Sequence, residues 1–279
     1  MFKRVILISL FLVTLFSTPV SSAEKHAIGV VPFYSPEKIW NLYSPMIDYL
    51  NKNTGITWEL KLYRDHDAII KGMCTGELSI ALLGPVPFGR AREQCEIKPL
   101  LVSLGSDGKP AYRSVLITGN DTINSVRDLK GKKIGFFKGS TAAFVLPRKM
   151  LDDEGITLDA VQPTYFNSQD RIVEALIKRE IDAAGIKQSL FERFQGSQFK
   201  ILKVSEPLPN FVFCAPSSID SSVAIAFVKT LRLLNPGSSP AGRKTVEGWD
   251  DEIKHGFIVP PTTYLQEAEK LLNWYKKYN

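Results

Sequence analysis

From residue 27 onward, short apolar runs alternate with longer stretches in which apolar side chains recur every three to four positions. The run over 27–31 predicts a strand. Ile39, Leu42, Tyr43, Met46, Ile47 and Leu50 then fall on one stripe of a helix over 36–53. Further strands are predicted over 57–62, 79–83 and 98–104, with helices over 67–73 and after the stretch Pro85 to Pro87. Gly-Ser-Asp-Gly-Lys-Pro at 105–110 is turn chemistry and closes this first series. A strand over 112–118 opens a second series. It continues as a short helix over 125–129, a strand over 133–137 and a helix over 142–154 that stops at Gly155. Next come a strand over 161–166, a helix over 170–178, a strand over 181–186, a helix over 188–194 and a strand over 200–204. A strand over 211–215 and helices over 221–234 and 262–278 complete the pattern. Strands alternating with helices argue for α/β architecture with parallel-type sheets.

Two segments echo one another. Residues 69–84 read IIKGMCTGELSIALLG and residues 176–185 read LIKREIDAAG. Each is a helix end, then Glu, an apolar residue, Ser or Asp, and an apolar strand. The copies occupy corresponding places in the two series, as expected of two similar lobes joined by a hinge. The division expected is 24–117 for the first part of lobe one, 118–212 for lobe two and 213–279 for the return to lobe one. The crossovers are expected near 115–119 and 211–215.

The N-terminus stands apart from this alternation. Lys3 and Arg4 precede an uncharged apolar run over 5–16, and small residues Ser21 and Ala23 follow. This reads as a cleavable secretory signal peptide over 1–23. The apolar run is short for a bilayer span, and no cysteine stands near the cut to carry a lipid. Export to the periplasm is therefore expected. The formal net charge is +6, and two of those charges, Lys3 and Arg4, belong to the leader. The remaining basic residues are interleaved with acids, so no nucleic-acid-binding stripe is visible.

In an oxidising compartment the three cysteines matter. Three is odd, so at least one has no partner within the chain. Cys74 and Cys95 lie on consecutive helices flanking one strand and could meet as a disulfide. Cys214 lies in an apolar strand and is expected to be a buried thiol.

In open α/β sheets, ligands bind beyond the carboxyl ends of the strands. Five such ends are readable: 32–35, 84–88, 138–141, 167–170 and 187–188. Lys138-Gly139-Ser140-Thr141 is the sharpest signal. A glycine turn feeds a helix whose first backbone N–H groups lack intrahelical partners, and Ser140 and Thr141 add hydroxyls. The same residues also serve as ordinary helix caps. Gln169 and Asp170 open another helix in the same lobe. Tyr34 and Phe88 offer aromatic walls, Pro85 begins a helix beside the cleft, and Lys187 is a strand-end cation.

At these residues the chain resembles the phosphonate-, phosphite- and phosphate-binding periplasmic proteins of ABC importers, which have the type II periplasmic-binding-protein fold. The resemblance runs over most of the chain beyond the leader. It includes Gly29 with 34–36, then 43–50, 82–85, Asp128-Leu129-Lys130-Gly131-Lys132, 139–147 and 167–184. It implies that the Ser140–Thr141 helix start grips an oxyanion and that two lobes close on the ligand. Three positions depart from the family pattern. Ala142 stands where a third hydroxyl is common, Gln169 where a His is expected before the retained Asp170, and Phe88 where a ligand-touching Tyr is often found. The ligand expected is thus a small oxyanion, phosphonate- or phosphate-like, or a related organic acid.

The function expected is capture of that ligand by lobe closure and delivery to an ABC permease at the inner membrane, by a monomer that needs no cofactor. The alternative is a sensor that delivers the same closed form to a membrane histidine kinase. Catalysis is not expected. There is no G-x-S-x-G, no metal-ligand cluster and no Ser/His/Asp set that the strand ends would bring together. His26, His66 and His255 are expected to lie away from the cleft, His66 being the nearest.

Overall fold

The structure is a computed structural model that describes residues 25–194 and 199–279. The expected leader over 1–23 lies outside the described residues. The first series runs β1 (Lys25–Val30), α1 (Pro36–Thr54), β2 (Thr57–Lys61), α2 (His66–Cys74), β3 (Ile80–Leu83), α3 (Pro85–Gln94) and β4 (Ile97–Ser103). The chain crosses over through β5 (Ala111–Tyr112). The second series is β6 (Ser114–Thr118), β7 (Lys133–Phe137), α4 (Leu146–Asp152), β8 (Gln162–Phe166), α5 (Gln169–Ile177), β9 (Ala183–Lys187), α6 (Gln188–Glu192) and β10 (Lys200–Val204). The return passes through β11 (Leu208–Pro209) into β12 (Val212–Pro216), α7 (Ser221–Leu234), α8 (Pro240–Thr245), β13 (Phe257–Ile258) and α9 (Tyr264–Tyr278).

The helices begin and end where local chemistry directs. In α1 the Ser35 hydroxyl accepts from the Lys38 N–H, Pro36 takes the first turn, and Gly55 ends the helix at φ 69°. Ile39, Tyr43, Met46, Ile47 and Leu50 bury the apolar stripe against the first sheet. The helix expected over 142–154 is two pieces. A π-type turn over Thr141–Val145 precedes α4, and the Val145 N–H reaches the Ser140 carbonyl at 3.2 Å. Such wide turns recur at functional sites. Gly185 in β9 lets α4 pack closely: a Cβ there would stand 1.8 Å from Pro147 Cγ.

Two sheets form the lobes. The six-stranded sheet has the order β13-β4-β12-β3-β1-β2, and the five-stranded sheet has the order β10-β6-β9-β7-β8. Both are mixed rather than wholly parallel. β1 pairs in parallel with β2 and β3, and β7 with β8 and β9, but β12 runs antiparallel to β3 and β4, and β6 antiparallel to β9. A strand that enters a sheet from the opposite lobe arrives from the cleft side, so it points the other way.

The crossovers lie earlier than the expected 115–119 and 211–215. All of β6 is in the second sheet and all of β12 is in the first. The chain changes lobes around β5 and β11, which pair antiparallel as Ala111 with Pro209 and Tyr112 with Leu208. Two-residue strands, β13 among them, carry too little periodicity to be read from sequence, and the six residues of α8 are too few to show a helical stripe. α9 packs on α3 in the first lobe and reaches the π-type turn of the second. Its last residues hold the second lobe: Lys277 pairs with Asp152 at 2.7 Å, and Arg148 donates to the Tyr278 carbonyl at 3.3 Å.

Cys74, at the end of α2, and Cys95, just past α3, are joined by a disulfide with Cα–Cα 5.4 Å and a sequence separation of 21. Cys214 is a buried free thiol whose pKa burial pushes far up, so it is not a reactive thiolate. Closing a loop of this size removes unfolded-chain entropy worth about 3 kcal/mol. The Cys74→Ser, Cys95→Ser double variant should therefore lose about that much stability in urea unfolding under oxidising conditions. An unchanged midpoint would mean that the bridge does not constrain the unfolded chain.

Candidate functional site

All five strand ends meet. Between the lobes lies a cavity of about 20 Å³, room for roughly one water molecule. The first lobe supplies Val31 and Phe33 after β1, His66 at the start of α2, and Gly84 and Pro87 after β3. The second lobe supplies Phe137 at the end of β7, Ser140, Thr141 and Ala142 just after it, Gln169 after β8 and Lys187 at the end of β9. Tyr112 and Phe211 come from the crossover segments.

The cavity is small because the lobes touch directly around it. The Val86 N–H of the first lobe donates to Thr141 Oγ1 at 3.0 Å, and the Gln169 N–H of the second donates to the Phe33 carbonyl at 3.1 Å. The His66 ring packs against Phe137 with centroids 4.5 Å apart. At the rim Lys38 pairs with Asp170 at 3.1 Å. That pair is partly exposed and adds at most about 1 kcal/mol. Arg193 donates to Tyr34 Oη and to Asp251, each at 2.8 Å, and lies 3.7 Å from Asp250.

Lys187 is held more tightly than a solvated strand-end lysine. Its ammonium is buried, pairs with Glu252, and donates to Asn210 Oδ1 at 3.1 Å. It also lies 4.5 Å from the Tyr112 ring centre and 4.7 Å from that of Phe211. Gln169 Oε1 accepts the Lys187 N–H at 2.9 Å, which orients the amide. Behind this pair lies a larger open depression of about 590 Å³, which shares Tyr112 and Lys187 with the inner cavity. Its walls alternate acids and bases, including Asp107, Arg113, Glu192 and Lys254, and it lies outside the meeting point of the strand ends.

Asp250 is buried beneath this layer. Its Oδ1 accepts from Tyr43 Oη at 3.2 Å and from the Glu252 N–H at 3.0 Å. Burial first, and then the Glu252 carboxylate, push its acid above the usual carboxylate range. His66 moves the other way. Burial, followed by the Arg90 charge, lowers it to about 4, so the ring is neutral near pH 7.

Of the nine residues singled out from sequence, Ser140, Thr141, Ala142, Gln169 and Lys187 reach the cavity wall. Tyr34 is displaced by one position: Phe33 faces the cavity, and Tyr34 turns under Arg193. Phe88 is fully buried against Tyr264, with centroids 5.7 Å apart, and is core. Pro85 starts α3 behind Gly84 and Pro87, and Asp170 sits at the rim with Lys38. His66 was expected away from the cleft but lines it. The signal that could have found it is its place at the first turn of a helix following a lobe-one strand. Tyr112 and Phe211 had no signal beyond lying on crossover segments.

A family described as "ABC transporter, phosphonate, periplasmic substrate-binding protein" matches residues 28–260. The chain belongs to this family. Its members are substrate-binding components of transport systems. The phosphate-import protein PhnD of Mycolicibacterium smegmatis is 24% identical over 220 residues, covering 72% of this chain and 68% of that protein. The phosphonates-binding periplasmic protein of Escherichia coli is 27% identical over 148 residues, which is 50% of this chain and 44% of its own length. Among solved structures, a binding-protein component of an ABC phosphonate transporter from Pseudomonas aeruginosa superposes with TM-score 0.80 at 17% identity, covering 91% of this chain and 87% of that one. PhnD1 of Prochlorococcus marinus, in complex with methylphosphonate, gives TM-score 0.79 at 14% identity, covering 91% and 98%. At such identity the structural matches establish the fold: a two-lobed type II periplasmic binding protein.

No helix among the described residues is long and apolar enough to cross a membrane. No group of three or more His, Cys, Asp or Glu among them is placed to hold a metal ion.

Two tests follow from the buried charges. Glu252→Ala leaves the Lys187 ammonium buried and unpaired, and should cost about 3–5 kcal/mol in denaturant unfolding. Replacing both partners, Lys187→Met with Glu252→Leu, should cost clearly less; equal losses would show that no pairing is at stake. The second test concerns pH. The folded pKa of His66, about 4, lies below its ordinary 6.5. Its neutral form thus contributes stability that is complete above pH 6.5 and is lost as pH falls towards about 4. The stability gap between wild type and His66→Phe should shrink over that window, and a constant gap would contradict the assignment.

Proposed function

We propose that this protein, exported after removal of residues 1–23, captures a compact oxyanion of the phosphonate or phosphate class. It closes its lobes on the ligand in the periplasm and presents the closed monomer to an inner-membrane ABC permease. The observation that carries this reading is the convergence of both lobes' strand ends on one buried pocket whose polar side includes Ser140 and Thr141. The hydroxyls, the amide of Gln169 and the turn's backbone offer donors without metal or cofactor. The activities for which the bacterial relatives are named, phosphate import and phosphonate binding, support the same class.

The pocket left between the closed lobes is smaller than any such ligand. The lobes must therefore part to admit it and re-form around it with the Val86–Thr141 contact replaced by contacts to ligand. This favours a small headgroup over a long-tailed ligand.

The test is a thermal-shift screen of residues 24–279 against phosphate, phosphite, methylphosphonate, aminoalkylphosphonates, sulfate and small carboxylates. A ligand that binds only the folded state raises the melting temperature as its concentration rises. The expected hit is a phosphorus oxyanion, and Thr141→Val should weaken it by about 1–3 kcal/mol in calorimetry. A rise with carboxylates alone, or with nothing in the panel, would sink the reading.

A further inference from the structure

Three buried side-chain atoms among the described residues lack a hydrogen-bond partner: Tyr63 Oη, His66 Nδ1 and Asp250 Oδ2. Of these residues only His66 lines the inter-lobe cavity. The remaining polar wall donates or is already engaged. Ser140 Oγ accepts the Ala143 N–H at 3.1 Å and Thr141 Oγ1 accepts the Val86 N–H at 3.0 Å, so each hydroxyl still has its own proton to give. Gln169 Oε1 is taken by the Lys187 N–H, which leaves the amide nitrogen as a donor. Lys187 is occupied by Glu252 and Asn210. Among the polar side chains of the cavity wall, His66 Nδ1 is the buried atom left without a hydrogen-bond partner.

We propose that His66 Nδ1 is a specificity-determining acceptor, which selects an oxyanion carrying a proton over one carrying none. This rests on the oxyanion reading above and narrows it. A hydrogenphosphonate monoanion has one O–H to donate to His66, dihydrogenphosphate has two and hydrogenphosphate keeps one, and the other oxygens accept from Ser140, Thr141 and Gln169. A sulfonate or sulfate has no proton near neutral pH. It would set lone pair against lone pair at Nδ1, and a buried polar group left without its partner discriminates strongly.

The surroundings keep the ring an acceptor. The charged groups facing it are Asp65, which caps its helix, Asp67 on that helix and Arg90 on α3, and the main-chain carbonyl of Lys138 on the turn after β7 also favours the protonated ring. Arg90 is engaged by Asp67, and burial outweighs the acids, so the ring stays neutral well below pH 7. Gly139 makes the approach possible. It stands at φ +83°, and a Cβ there would come within 3.3 Å of His66 Cβ and Cγ and 3.2 Å of Arg90 Nη1.

The experiment is titration calorimetry of residues 24–279 with methylphosphonate, phosphite and phosphate on one side and methanesulfonate and sulfate on the other. Each is measured from one unit below to one unit above the second pKa of the phosphorus acids. Wild type should bind its best phosphorus ligand at least roughly tenfold tighter than methanesulfonate, and should lose affinity for methylphosphonate and phosphite, whose dianions have no O–H, as pH rises through the second pKa. His66→Phe should remove most of this preference, and His66→Gln, whose amide oxygen accepts, should retain it. Methylphosphonate or phosphite affinity that is flat across the second pKa, or methanesulfonate bound equally well, overturns the His66 assignment and leaves oxyanion capture standing. Absence of binding to every member of the panel overturns both. The wild-type arms decide even if His66→Phe fails to fold.

Discussion

An anion gives up water only where hydrogen-bond donors replace it on most sides. One sheet edge offers donors from one direction. The fold meets this constraint by setting the carboxyl ends of two sheets against each other, so that turns from both lobes surround a single point. The reversed strands β6 and β12, the position of the crossovers and the packing of α9 on both lobes all follow from holding two sheets in that opposition. The inter-lobe contacts rest on the same geometry, because Thr141, Gln169 and Lys187 reach across only where strand ends already face.

Much of this was legible in the chain. Strand and helix periodicity located most elements, since long amphipathic stretches such as 36–53 and 221–234 carry their own register. The rule that ligands sit beyond strand ends then placed Ser140, Thr141 and Gln169 at the cavity without reference to any fold. The failures were local. Tyr34 and Phe33 are neighbours after a strand, and which of two adjacent side chains faces the cleft depends on how the loop leaves the sheet. Phe88 lies one turn into a helix and rotates into the core. His66 escaped because a histidine at a helix start has no periodic signal, and its importance arises from Gly139 in the other lobe. Crossover placement failed because β5 and β11 are two residues long. Their pairing is a tertiary fact.

Membership of the phosphonate-binding family accounts for the scaffold, and this chain's departures describe its own pocket. Ala142 and Gln169 bring no charge to the second lobe's side of the cavity. Lys187 does not make up for this, since Glu252 and Asn210 already satisfy it. The pocket is therefore close to electrically balanced before any ligand arrives. Its selectivity has to come from the pattern of donors and acceptors more than from net charge.

Tyr112 joins two features that have been described separately. It belongs to the two-residue ladder where the chain passes between lobes, and its ring forms part of the cavity wall beneath Lys187. A bending joint is usually remote from the cargo it serves. Here the joint is also part of the container, so any change of angle alters the shape of the space it encloses. With lobe closure, the size of what is held and the degree to which the lobes shut would be one mechanical coordinate. A partner that senses only the outer angle would thereby receive a report on the fit inside.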